Sequence, residues 1–143
     1  MAKDPYKHNI LKASPYHKKN TVIGRNVVIL KEYLDNRELQ LIYPKSRVVK
    51  KHEAHEVIIT DEDAEPGDTV NSVAFLCFVE FITTGVILRG DEVRINGKRI
   101  GDLCGFDETH MPNHINIVIK GDELICGKDL ELSLNSIMEF VKK

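Results

Sequence analysis

Apolar positions in this chain come in short β-branched runs and strict alternations, broken every few residues by Gly, Pro, Asn or Asp, and nowhere sustain a long three-and-four helical spacing. Residues 21–30 and 39–42 flank the turn-rich Asp35-Asn36 and read as a hairpin that Pro44 ends. Residues 73–82 are apolar on both pleat faces, as expected of a strand covered on both sides or of a barrel wall, and residues 85–88 continue them after a bend. Around Asn96-Gly97, Glu92 to Ile95 and Lys98 to Ile100 form a hairpin, because that dipeptide supplies the positive φ angles of a type I′ turn. Residues 115–119, 123–126 and 130–134 read as three further strands.

Two segments carry helical signals. Ser46 can cap a short helix in which Val48, Val49, His52, His55 and Glu56 share a face, although Val48-Val49 and residues 57–60 suit an extended chain equally well. Asn135 or Ser136 can cap a terminal helix carrying Ile137, Phe140 and Val141. The expected fold is therefore mainly β: an antiparallel β-barrel or sandwich with one or two short helices.

The 143 residues suffice for one core, which gives an irregular basic arm at 1–20 and a single β-rich domain at 21–143. The arm holds five Lys against one Asp and two Pro-Tyr steps ten residues apart; its Tyr, Lys and His could stack on a nucleic acid or meet an acidic partner, but the neutral body favours an arm packed along a neighbouring subunit. Together with strand edges that need covering, it points to a homo-oligomer. Across the chain, 20 basic and 22 acidic side chains leave a net charge of −2, so no global field favours nucleic acid. The acidic run from Asp61 to Asp68 contains Pro66-Gly67 and reads as a solvated loop. Without an apolar leader or membrane-length apolar stretch, and with three widely spaced cysteines, the expectation is a cytoplasmic chain with reduced thiols and no membrane contact.

Chemistry is densest at residues 104–114, where Cys104, Asp107, Glu108, His110 and His114 fall within eleven residues between two expected strands. Asp107, His110 and His114 are spaced by three and four, close enough for a turn to converge them on a divalent Zn, Mn or Fe cation. Glu108 would then move a proton beside a metal-bound water. His52 and His55 could complete such a site. Glu80 stands alone among apolar neighbours and is a second candidate catalytic carboxylate, unless it points outward to pair with Arg89 or Arg94. Arg89, Arg99 and Asn113 are candidates to bind an anionic or polar small-molecule substrate.

The plainer reading of the same loop makes Asp107 or Thr109 a turn cap, Cys104 a core filler and the histidines partners of nearby backbone. Cys77 likewise reads as packing. No phosphate-cradling glycine motif and no hydrolase elbow is present, so nucleotide cofactors have no support. The sequence thus favours a metal-dependent small-molecule enzyme of hydrolase or lyase type, against a non-catalytic ligand-binding or accessory subunit acting as a homo-oligomer.

Overall fold

The computed structural model describes residues 19–143, so the basic arm lies outside the described residues except for Lys19 and Asn20. Twelve strands follow in chain order: β1 (Val22–Ile29), β2 (Tyr33–Leu34), β3 (Leu39–Gln40), β4 (Ser46–Val49), β5 (Ala54–Thr60), β6 (Thr69–Val70), β7 (Val73–Phe81), β8 (Gly85–Leu88), β9 (Glu92–Ile95), β10 (Lys98–Asp107), β11 (Asn116–Gly121) and β12 (Ile137–Val141). Seven of them close on themselves in the order β1-β12-β9-β10-β11-β5-β7, with β7 pairing back onto β1. Closure removes the free edges that an open sheet of this size would expose.

The unbroken apolar runs fill both sides of this wall. Inward-facing Val57, Ile59, Leu76, Val79, Phe81, Val93, Leu103, Phe106, Ile117, Ile119 and Phe140 build the barrel interior. Outward-facing Ile58, Val73, Phe75, Cys104 and Val118 form a second cluster with Leu39, Leu41 and Val70. These last three belong to a strap, the β3–β6 ribbon, laid across the outer face. Leu41 passes within 3.4 Å of where a Cβ on Gly105 would stand, and Ile42 donates its N–H to the Phe106 carbonyl at 2.9 Å. A continuous apolar strand such as β7 is thus explained by two covers, the packed interior within and the strap outside.

The Asn96-Gly97 hairpin forms as expected, with φ of 50° and 84° and Lys98 opposite Ile95. No atom lies within 4 Å of the position a Gly97 Cβ would take, so Gly97→Ala should cost conformational energy alone. A loss of about 1–2 kcal/mol, read as a lower urea midpoint, is expected.

No helix forms among the described residues, which corrects both helical expectations. Residues 46–49 and 54–60 are strands β4 and β5, because the β-branched pattern prevails over the three-and-four spacing once neighbours exist to pair with. The C-terminal segment becomes β12, burying Met138 and Phe140 at a period of two, since the barrel closes only if a strand fills the gap between β1 and β9. The early hairpin is corrected as well: β1 pairs with β12 and β7, whereas β3 joins the strap. Residues 123–134 form turns and not two strands, and Leu124, Leu130 and Leu132 pack against the interior cluster. The sheet is not wholly antiparallel, for β11 runs parallel to β5, with Asn116 beside Glu56.

Candidate metal centre

That parallel pairing sets up the site. On β11, Ile117 faces the interior and Asn116 faces out; on β5, Val57 faces the interior and Glu56 faces out. The register aligns Asp107 with Asn116, Asn116 with Glu56, and Glu56 with Phe78, a row of four residues across β10, β11, β5 and β7. The 108–115 connection between β10 and β11 starts and ends on this row.

Asp107 is fully buried and binds its own loop. It accepts hydrogen bonds from the Thr109 N–H at 3.0 Å, the Thr109 hydroxyl at 2.8 Å and the Asn116 side-chain amide at 2.9 Å. The Met111 and Asn113 N–H groups then bond back to the Glu108 and His110 carbonyls, forming a compact turn. Within it the His110 and His114 rings lie 5.0 Å apart, and Phe78 presents edge-on to His114 at 5.0 Å.

His114 is anchored through Nδ1, whose N–H donates to Asn113 Oδ1 at 2.6 Å, since a carbonyl oxygen can only accept. Its Nε2 is buried without a hydrogen-bond partner and stands 3.5 Å from Glu56 Oε1. Donor atoms of Glu56, His110 and His114 all lie within 4.8 Å of one another, a group that could hold a metal ion. Asn113 is then the outer partner that fixes ring orientation and basicity. Burial pushes the Glu56 carboxyl above its ordinary range, outweighing the opposite influence of the neighbouring His114, His110 and Arg37.

The remaining candidates lie in other settings. Among the residues offered as ligands, Asp107 is used up in bonding to the loop, and its place in the cluster is taken by Glu56. His55 points inward beside Phe81, with both nitrogens committed. Its Nδ1 accepts from the Ile115 N–H at 3.1 Å, and its Nε2–H donates to Glu53 at 3.1 Å. Burial lowers its pKa. Burial opposes ionisation of Glu53, but the His55 hydrogen bond and the Lys50 backbone outweigh it, and its carboxyl lies below the ordinary value. His52 is exposed on the β4–β5 turn at a φ of 80°.

Glu80 faces outward and pairs with Arg25 at 2.8 Å, a partner different from the arginines considered in the sequence. Glu108 is exposed on the loop. Arg99 is tied to Asp102 at 2.6 Å and to Asp122 at 3.2 Å, and Arg89 lines a cleft elsewhere on the barrel. Cys77 is buried, which pushes its thiol up to about 12 and makes it packing. Glu56, expected from its spacing on a helix face with His52 and His55, is the ligand candidate that the spacing of the 104–114 loop does not reveal. The available signal was an acid heading the apolar run from Val57 to Ile59.

Asp107 offers a test of the loop itself. Asp107→Ala strands the buried Asn116 amide and the Thr109 N–H, and should cost about 1–3 kcal/mol. It should also weaken metal binding without removing a donor of the cluster. Unchanged stability in a denaturant melt would show that this turn does not order the loop.

The fold and the site together define a small closed β-barrel protein with a two-histidine, one-glutamate cluster on its outer wall. The chain belongs to DUF6917, a family of unknown function, which it matches over residues 16–141. No curated protein and no solved structure matches it. Among the described residues no helix is long and apolar enough to cross a membrane.

Proposed function

We propose that this barrel is a metal-dependent small-molecule enzyme, of hydrolase or lyase type, whose cation is held by Glu56, His110 and His114. The observation that carries this reading is the buried, unpartnered Nε2 of His114 facing the Glu56 carboxylate. A buried imidazole nitrogen with no hydrogen-bond partner costs free energy unless something occupies the space in front of it. One oxygen and two nitrogen donors suit Zn²⁺, Mn²⁺ or Fe²⁺. Three protein ligands leave coordination positions for water and substrate, whereas structural zinc sites are closed by four.

A cation at this place would polarise a substrate oxygen or acidify a bound water. Glu108, two residues before His110, is the group proposed to move a proton. A recess of about 200 Å³ lined in part by Arg47, Glu53, His55, Asn113 and His114 is proposed to receive the substrate. Arg47 there would meet an anionic group, and the Asn113 amide a polar one.

Metal analysis of the full chain, purified without a histidine tag and dialysed against each of the three cations, tests the reading. About one equivalent is expected in the protein, and less than about a tenth in His114→Ala. Equal metal content in the two proteins would overturn it.

A further inference from the structure

On the same outer face of β10 and β11, at the far end from the metal centre, lies a cleft of about 370 Å³ lined by residues that include Arg89, Cys104 and Lys120. Lys120 is four residues along β11 from Asn116, about 13 Å at the rise of a strand. The apolar cluster of Ile58, Val118 and Leu41 lies on the outer face between the two places.

The arginine of this cleft is anchored to backbone, whereas the two carboxylates facing its cations are exposed. Arg89 Nη1 donates to the Cys104 carbonyl at 2.6 Å and to the Ala64 carbonyl at 3.0 Å, which pins the guanidinium against β10. Its Nη2 reaches Glu65 at 3.3 Å, and Lys120 reaches Asp63 at 2.7 Å. Those two carboxylates sit on the acidic 61–68 loop and are 77% and 97% exposed, whereas the Arg89 and Lys120 side chains are 26% and 37% exposed. Asp102, also on the rim, is already neutralised by Arg99 at 2.6 Å and Lys143 at 2.8 Å.

Carboxylates this exposed hold their partners weakly, with exposed pairs contributing on the order of 1 kcal/mol or less. A pinned guanidinium loses little rotamer freedom when it binds a second acceptor. We infer that this cleft binds the phosphate group of a small phosphorylated molecule between Arg89 and Lys120, with Glu65 and Asp63 occupying the two cations until that group displaces them. Two cations flanking one space match a compact dianion better than a carboxylate. The cavity has room for a small organic body behind the phosphate.

The experiment is an amide-shift NMR titration of the metal-free full chain with inorganic phosphate, with acetate as the monoanionic arm. Saturable shifts centred on Gly90, Leu103, Cys104 and Lys120 are expected. Lys120→Gln, which leaves the Arg89 anchor in place, should weaken the phosphate affinity about tenfold. Asp63→Asn and Glu65→Gln remove the competing carboxylates, and each should tighten it about two- to fivefold. Absence of saturable shifts, an unchanged affinity in Lys120→Gln, or weaker binding in the two acid variants would each overturn the inference. Acetate binding as tight as phosphate would overturn the dianion assignment.

Discussion

Glu56→Gln should leave the metal-free protein as stable as the parent or slightly more stable, while abolishing its stabilisation by zinc. In the metal-free fold the Glu56 carboxylate is buried, stands 3.5 Å from a histidine and carries a raised pKa caused first by its own desolvation. Removing that charge relieves a cost, provided the amide keeps the shape. With zinc present the balance reverses. A ligand that binds only the native state at a hundred times its Kd adds about 2.7 kcal/mol, and Gln is a far poorer zinc donor than Glu. The parent should therefore melt about 5–10 °C higher with zinc, and Glu56→Gln should show no shift.

His110→Ala supplies a second arm, because His110 is exposed and its removal should scarcely change the metal-free melt while lowering the zinc response. Thermal melts with and without zinc measure both. If Glu56 instead acts as a structural ion-pair partner of His114, Glu56→Gln will lower the metal-free melting temperature and zinc will shift parent and variant alike. That pattern would sink the metal centre.

Phe106→Ala should be the most damaging single truncation of those considered. Phe106 is 1% exposed in the barrel interior, one residue before Asp107. Its carbonyl also accepts the Ile42 N–H that ties down the strap. Emptying such a position typically costs about 3–5 kcal/mol, lost transfer energy plus an unfilled cavity. A domain of this size has a total stability of about 5–15 kcal/mol, so the melting temperature should fall by about 10–20 °C. The wall on which the Asp107, Asn116, Glu56 and Phe78 row stands loosens with it, and zinc affinity should drop even though no donor is touched. A loss below about 1 kcal/mol in chemical denaturation would mean that the interior is not packed tightly there.

Part of the site was legible in advance. His110 and His114 lie on one short loop, and proximity in sequence was enough to bring their rings to 5.0 Å. The carboxylate was not legible, because it arrives from β5 through a parallel pairing across about sixty residues of chain. Parallel neighbours leave no turn between them to read. Asp107 looked like the natural third ligand by spacing, but both of its oxygens accept hydrogen bonds from Thr109 and Asn116, and it is Glu56 that clusters with the two histidines. The helical readings of 46–56 and 136–141 failed because three-and-four spacing and alternation overlap in segments this short, and pairing partners decide between them.

What the sequence determined by itself was the mainly β character, the Asn96-Gly97 turn, the two-sided burial of residues 73–79 and the loop where the histidines gather. All four are local, set by backbone preferences and by the two-residue period of a strand. Only the tertiary structure decided that seven strands close into a barrel, that 46–60 and the C-terminus join as strands, and that Glu56 meets His114. Those outcomes rest on long-range pairing, in which the partner's identity depends on how the barrel strands together bury their apolar surface and close the wall.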